Sequence, residues 1–223
     1  MFLIDGQPMK TWNCFVGCRF DCTYCNARQL ALGRLKWNYF YRDGFTPKFV
    51  EGRMKRQFKP RQFIFVAYMG DICFCARERV EEILARIRVE PANNFLFCSK
   101  NPGIYFWWNL EFPPNLYLGT TIETNRDYQL TRAPAPLLRM RGLARVAHPK
   151  RFVSIEPIMD FDLEILISWI HFLNPAIVEV GADNYRNHLV EPSGAKIEEL
   201  LESLRDFVPT VVEKQGLERL KEV

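Results

Sequence analysis

Seven short apolar segments recur along the chain, and helical patterns separate several of them. The segments cover residues 9–13, 63–68, 94–98, 116–121, 152–155, 177–181 and 210–212. Apolar residues recur at helical spacing in residues 78–89, 163–172 and 196–207. This alternation is typical of βαβ units, in which helical crossovers join parallel strands of one sheet. The sequence therefore predicts an α/β fold whose strands either fan into an open sheet or curl into a barrel.

The length of the chain limits how far such a barrel can close. A complete eightfold barrel takes about 250 residues, whereas this chain has 223. Residues 34–62 moreover read as an insertion after the first βα unit, because they are too few to build a core of their own. We expect one domain over residues 1–223, a partial (β/α)6 TIM-type barrel with a late extra strand near residues 210–213.

Composition excludes several classes of protein. Hydrophobic residues make up 48% of the chain and charged residues 25%, as in ordinary globular proteins. No apolar run approaches the roughly 18 residues that a membrane-spanning helix needs, and the N-terminal residues lack the pattern of a signal peptide. We therefore expect a soluble, cytoplasmic protein without a membrane partner.

The cysteines carry the strongest chemical signal. Four of the seven lie close together, at Cys14, Cys18, Cys22 and Cys25, and clustered cysteines in a chain without an export signal indicate metal or redox chemistry. Cys18, Cys22 and Cys25 have C-x3-C-x2-C spacing. Three thiolates can hold three irons of a [4Fe–4S] cube, whereas a fully ligated cube takes four cysteines. The spacing therefore predicts a cluster with one iron open to a further ligand.

The cysteine spacing and several motifs resemble a known superfamily. C-x3-C-x-aromatic-C after the first strand of a βα chain is similar to the motif of radical S-adenosylmethionine (SAM) enzymes. The segments TWNxxxGC, FVxxMxD, KNP, NLYLGTTIET, RFVSIEP and EKQG resemble signatures of a phage-associated branch of that superfamily, which is similar to spore photoproduct lyase.

This resemblance implies both a cofactor and a reaction. The open iron would bind the amino and carboxylate groups of SAM. Reduction by an external one-electron donor would then cleave SAM to methionine and a 5′-deoxyadenosyl radical, which abstracts hydrogen from a substrate. Tyr24 matches the position whose side chain packs against the adenine.

Polar and small residues follow the predicted strands, where the active site of a parallel α/β fold gathers. Gly70 and Asp71 stand where the superfamily carries a Gly-Gly-Glu-like motif that contacts the SAM amino group. Lys100 is a candidate partner for the SAM carboxylate, Glu123 for the ribose and Gly181 for the adenine. The candidate SAM contacts are Tyr24, Gly70, Asp71, Lys100, Thr121, Glu123, Ser154, Glu156 and Gly181. Taken singly, each could equally be an ordinary turn, solvated or core residue.

Two other interpretations of the cysteines stay open. The three thiolates could hold a structural zinc ion with Cys73 and Cys75 as partners, or Cys14 could complete a fully ligated cluster. Cys73 and Cys75 are also weak catalytic candidates, because a thiol near the substrate could return a hydrogen atom to a product radical, as a cysteine does in spore photoproduct lyase. A packing role is the alternative.

Residues 34–62, called the basic segment below, are unusually charged. They contain nine Lys and Arg residues against Asp43 and Glu51, interleaved with seven aromatic residues. Such a segment could bind phosphates and stack on bases, so a nucleic acid or a nucleotide is one candidate substrate. Alternatively, its aromatic residues cover the barrel wall beneath basic side chains. A non-catalytic zinc or iron–sulfur module that binds nucleic acid is the competing hypothesis for the whole chain.

Overall fold

A sheet of seven parallel strands forms the frame of the molecule. The computed structural model describes residues 3–4 and 7–221. The strands in chain order are β1 (Leu3–Ile4), β2 (Gln7–Pro8), β3 (Lys10–Trp12), β4 (Phe15–Val16), β5 (Lys48–Phe49), β6 (Phe63–Val66), β7 (Asn94–Cys98), β8 (Leu116–Thr121), β9 (Arg151–Ile155), β10 (Ile177–Val180) and β11 (Thr210–Glu213). The α-helices are α1 (Asn26–Leu32), α2 (Arg77–Arg88), α3 (Gly103–Trp108), α4 (Pro136–Ala144), α5 (Leu163–Leu173), α6 (Gly194–Arg205) and α7 (Glu218–Lys221). Two 3-10 turns cover Glu51–Lys55 and Ile72–Phe74.

The large sheet has the strand order β11-β10-β9-β8-β7-β6-β3, and all of its pairings are parallel. Neighbours in the sheet are therefore also consecutive among these seven strands, and the sheet curls into a half-barrel. The carboxyl ends of all seven strands face one opening, which we call the mouth. The predicted parallel α/β architecture is confirmed.

The two faces of the sheet bury different sets of side chains. Helices cover the convex face, where α2 packs Val80, Ile83, Leu84 and Ile87 into the main core. The concave face holds a smaller apolar cluster made by Ile4, Met9, Phe63, Leu96, Phe152 and Ile177. These apolar residues fill the floor of the half-barrel, and the polar side chains lie at the mouth.

The amphipathic helices lie where their spacing predicts, within two residues of the expected ends. Helix α6 begins after Ser193, whose side chain accepts a hydrogen bond from the Lys196 backbone N–H over 3.4 Å. Serine is a preferred residue at this position because its hydroxyl satisfies an otherwise unpaired N–H. Across the described residues, no helix combines the length and the apolar character that crossing a membrane requires.

Candidate functional site

Residues 18–25, the cysteine loop, lead from β4 into α1 at the mouth. Cys25 caps α1, and its Sγ accepts a hydrogen bond from the Arg28 N–H over 3.4 Å. Cys18 Sγ accepts one from the Phe20 N–H, also over 3.4 Å. All seven cysteines of the chain are free thiols, and Cys22 lies close enough to Cys18 and Cys25 to raise the pKa of both.

The thiols of Cys18 and Cys25 are poorly suited to carry charge on their own. Burial raises the pKa of both above the ordinary thiol value, and the neighbouring sulfurs raise it further. The sulfurs pack with Phe20 and Tyr24 of the loop itself and with Met159 outside it. A thiolate set in such surroundings needs a bound cation to compensate its charge.

Two glycines set the position of the cysteine loop against the sheet. Gly17 N–H donates to Met69 O over 2.8 Å, and Asp71 N–H donates to Gly17 O over 3.2 Å. A Cβ on Gly70 would lie 2.7 Å from Gly17 O. At Gly17, where φ is +87°, a Cβ would lie 2.2 Å from the backbone oxygen of Thr46. Gly70, predicted to contact SAM, is thus required for close packing of the loop on the sheet.

The basic segment holds the cysteine loop from a second side. Strand β5 of this segment pairs with β4 in an antiparallel ladder, and Cys18 N–H donates to Phe45 O over 3.1 Å. Tyr41 and Phe45 are buried beside the loop. Trp37 and Tyr39, in contrast, are 85% and 69% exposed. The segment therefore combines a packed wall with an exposed aromatic turn.

Residues 128–133, the clamp loop, cover a third side. Thr23 N–H donates to Leu130 O over 3.0 Å, and Arg132 N–H donates to Phe20 O over 2.7 Å. The Thr131 hydroxyl oxygen lies 3.0 Å from Cys22 Sγ. The clamp loop was not singled out by the sequence analysis, because nothing in its composition marks it as a partner of a segment about a hundred residues earlier.

A buried ionic network links the cysteine loop to two strand ends. The Tyr24 hydroxyl donates to Glu123 Oε1 over 2.6 Å, and Lys100 Nζ donates to that hydroxyl over 3.1 Å. Lys100 also forms an ion pair with Glu123, and Arg139 Nη1 donates to Glu123 Oε2 over 2.6 Å. Burial, together with the charge of Arg139, lowers the pKa of Lys100 to about 8. Sequence analysis predicted Tyr24, Lys100 and Glu123 at this site and missed Arg139.

The side chain of Asp71 connects the ends of two neighbouring strands through hydrogen bonds. Its Oδ1 accepts hydrogen bonds from Ser99 Oγ over 2.6 Å and from Cys73 N over 3.0 Å, and its Oδ2 accepts one from Lys100 N over 2.9 Å. The side chain is buried, and burial raises its pKa. Because both carboxylate oxygens bind protein groups, Asp71 holds the loops after β6 and β7 together.

A second polar group lies at the ends of β9, β10 and β11. Ser154 Oγ donates to Glu179 Oε1 over 2.6 Å, and Lys214 forms an ion pair with Glu156 and lies 3.8 Å from Glu179 Oε2. Burial raises the pKa of Glu179 to about 7. A Cβ on Gly181 would lie 2.9 Å from Glu156 Oε1. Ser154, Glu156 and Gly181 were predicted here from the sequence, whereas Glu179 and Lys214 were not. A charged residue inside the apolar strand β10 was the available signal for Glu179.

The remaining predicted residues lie at different depths. Thr121 ends β8, with its hydroxyl 3.8 Å from Cys98 Sγ. Cys73 packs with the cluster around Phe20 and Tyr24, whereas Cys75 is buried in the main core. The structure therefore brings Cys73, and not Cys75, beside the cysteine loop.

Within residues 3–4 and 7–221, no three His, Cys, Asp or Glu side chains are grouped closely enough to hold one metal ion. The three thiols of the cysteine loop are thus neighbours without forming one coordination sphere.

Comparison with known proteins identifies the family. Residues 8–181 match the family described as "Protein of unknown function (DUF5131)". The chain belongs to this family. A comparison of this DUF5131 chain with curated proteins finds no match.

Solved structures of spore photoproduct lyase share the fold of this DUF5131 protein. The complex of that enzyme with dinucleoside spore photoproduct matches with a TM-score of 0.65 and 10% sequence identity, over 90% of this chain and 75% of that chain. A variant with bound AdoMet and dinucleoside spore photoproduct matches with a TM-score of 0.58 and 10% identity, over 91% and 75% of the two chains. At this identity the likeness is one of fold alone.

Proposed function

We propose that this protein is a radical SAM enzyme that binds a [4Fe–4S] cluster through Cys18, Cys22 and Cys25. The observation that carries the proposal is the place of these thiols: they lie on one partly buried loop, at the mouth of a half-barrel with the fold of spore photoproduct lyase. The partial (β/α)6 description of the single domain and the relation to the phage-associated branch belong to the same proposal and rest on the sequence motifs.

The donor set suits an iron–sulfur cube better than zinc. A structural zinc ion takes four ligands, often from two C-x2-C pairs, whereas in the cysteine loop only Cys22 and Cys25 have that spacing. In a cube each cysteine binds a different iron. Three cysteines therefore leave one iron available to SAM.

With the cluster bound, the group would supply the electron that cleaves SAM to methionine and a 5′-deoxyadenosyl radical, after reduction by an external donor. The chain itself would bind SAM at the two polar groups of the mouth. Lys100 and Glu123 present an ammonium and a carboxylate beside Tyr24, and Thr121 ends the neighbouring strand. Gly70 and Asp71 would act by fixing the loops around SAM.

The far side of the mouth completes the proposed SAM site. Ser154, Glu156 and Gly181 stand at the ends of β9 and β10. The apolar floor beneath them excludes water, which protects a reactive radical from unwanted hydrogen donors. Cys73, beside the cysteine loop, is the candidate hydrogen donor to a product radical; Cys75 in the main core is less suited to this role.

A specific observation favours a nucleic acid or a nucleotide as substrate. Trp37 and Tyr39 are exposed, and each ring carries a cation: Lys36 Nζ lies 5.0 Å from the Trp37 ring centre, and Arg42 lies 4.7 Å from that of Tyr39. Exposed rings among cations bind bases by stacking and phosphates by charge. We propose that this turn contacts a single-stranded nucleic acid.

The test of the substrate class is a salt titration of oligonucleotide binding. Replacing both Trp37 and Tyr39 by Ala should weaken binding of a single-stranded oligonucleotide about tenfold or more. Replacing the exposed Trp107 on α3 is the matched control, and it should leave binding unchanged. Equal binding by all three proteins would contradict the nucleic-acid proposal.

The test of the enzyme is spectroscopic. The protein is purified anaerobically, reconstituted with iron and sulfide and reduced, and electron paramagnetic resonance spectra are recorded with and without SAM. A [4Fe–4S]⁺ signal that shifts with SAM, together with release of 5′-deoxyadenosine and methionine, is expected. Cys22→Ala should abolish both results, and Cys75→Ala in the main core should preserve them.

The competing hypothesis predicts a different outcome of the same experiment. A non-catalytic zinc or iron–sulfur module would bind nucleic acid, and its metal group would be indifferent to SAM. A protein that contains zinc, or a cluster whose spectrum SAM does not change, would contradict the radical SAM proposal.

A further inference from the structure

The clamp loop contacts the cysteine loop through both backbone and side chain. Its two backbone hydrogen bonds, at Thr23 and Arg132, fix the residues on either side of Cys22. Between them stands Thr131, whose side chain is half-buried against Cys22. Among the described residues at the mouth, no other loop places a hydroxyl within hydrogen-bond distance of a sulfur of the cysteine loop.

The contacts of Thr131 define where its single proton can go. The hydroxyl oxygen lies 3.0 Å from Cys22 Sγ, accepts a hydrogen bond from Ala133 N over 3.0 Å and donates to Phe20 O over 3.2 Å. A hydroxyl has one proton and two lone pairs. With Ala133 N–H on one lone pair, the proton is directed either to Phe20 O or to Cys22 Sγ.

The choice depends on the state of the sulfur. A Cys22 thiol can donate its own proton to the Thr131 oxygen. A thiolate that binds iron has no proton and can only accept. Phe20 O keeps a second donor, Arg132 N–H at 2.7 Å, so turning the Thr131 hydroxyl away from Phe20 leaves no carbonyl unpaired.

We propose that Thr131 is a positioning residue that donates a hydrogen bond to the Cys22 thiolate when the cluster is bound. This inference rests on the proposed function. Hydrogen bonds to ligand sulfurs are among the factors that set the reduction potential of iron–sulfur clusters. Because such a bond disperses negative charge, it stabilises the reduced, more negative cluster, and Thr131 therefore raises the reduction potential.

The test compares variants that distinguish the effect of the Thr131 hydroxyl from the effect of side-chain packing. Thr131→Val keeps the branched shape and removes the hydroxyl, whereas Thr131→Ser keeps the hydroxyl. Thr124→Val is the matched control: Thr124 lies in the same connection, but its hydroxyl donates to Asp160 O over 2.7 Å, away from the cysteines. Reconstituted proteins are titrated with a reductant, and the [4Fe–4S]⁺ signal gives the midpoint potential without SAM.

We expect a lower midpoint potential for Thr131→Val than for the wild type, with unchanged iron content, and wild-type potentials for Thr131→Ser and Thr124→Val. Loss of the cluster from Thr131→Val alone, with rescue in Thr131→Ser, would equally support the hydroxyl contact. An unshifted potential in Thr131→Val, or loss of the cluster from both Thr131 variants, would overturn the inference. A wild-type protein that binds no cluster would instead contradict the proposed function, and this inference with it.

Discussion

The contact between Gly17 and Gly70 determines how closely the cysteine loop approaches the sheet. Gly70→Ala would place a Cβ 2.7 Å from Gly17 O, and since the atoms that this Cβ meets belong to the backbone, the loop would have to move. Overpacking of this kind costs about 1–3 kcal/mol. We expect Gly70→Ala to bind less iron after reconstitution than the wild type. Gly52→Ala, where a Cβ meets nothing within 4 Å, should bind the wild-type amount, and equal iron in both variants would contradict the role of Gly70.

The buried carboxylate of Glu123 is expected to matter for stability as well as for the site. Glu123→Gln removes the charge that Arg139 and Lys100 share, and leaves Arg139 as a buried cation. Breaking a buried ion pair in this way costs about 3–5 kcal/mol. Urea denaturation should show that loss. Glu82→Gln on the exposed face of α2, which removes the pair with Arg79, should leave the free energy of unfolding close to that of the wild type, because exposed ion pairs contribute little.

At the scale of residues, the sequence marks site residues that follow a strand or a cysteine motif and misses their partners elsewhere. Tyr24, Lys100 and Glu123 were expected because they follow strands or a cysteine motif. Arg139 sits in α4, where one Arg among several in a helix gives no sign that it is buried. The partners Tyr24 and Glu123 are 99 positions apart, and no local pattern reports such a contact.

At the scale of elements, the length and burial of a strand or helix determine whether its sequence pattern can be recognised. The five inner strands of the large sheet, β6 to β10, are largely buried on both faces, so their sequences are predominantly apolar. The edge strands β3 and β11 are more exposed, but all seven strands were predicted. The antiparallel pairs β1–β2 and β4–β5 have two-residue strands, too short for any period to be seen. Helix α3 has the sequence GIYFWW, in which apolar residues are continuous and no helical spacing is visible.

Strand β10 contains the buried carboxyl group of Glu179, whose effect on the stability of the folded protein depends on pH. Burial raises the pKa of Glu179 to about 7 from an ordinary value of 4.5, so between these values the folded protein holds a proton that the unfolded chain has lost. Stability therefore falls as pH rises through this window. Glu179→Gln keeps an acceptor for Ser154 without the charge, and its stability relative to the wild type should increase by roughly 1–3 kcal/mol from pH 4.5 to 7. A constant difference between the two unfolding free energies across that range would contradict the prediction.

At the scale of the whole molecule, the half-barrel is open between β3 and β11, and side chains join its two sides across the mouth. Residues 183–189 follow β10 and reach α1, where Asn26 Nδ2 donates to the Tyr185 hydroxyl and Gln29 Nε2 donates to Asn187 Oδ1, each over 2.9 Å. Both contacts are exposed. Exposed hydrogen bonds contribute only about 1 kcal/mol, so this connection opens far more easily than the sheet does.

Hydrogen exchange can measure that opening. Amides in residues 183–189 should exchange much faster than those of the central strands β7 and β8, because local opening exposes them without unfolding the core. Tyr185→Phe removes the acceptor for Asn26 and should speed exchange in residues 183–189 about fivefold, the factor that corresponds to about 1 kcal/mol, with no change in the melting temperature. Tyr39→Phe, which removes an exposed hydroxyl from the basic segment, should alter neither. If Tyr185→Phe lowered the melting temperature or left exchange unchanged, the contact with Asn26 would not be the independent, locally opening connection inferred here.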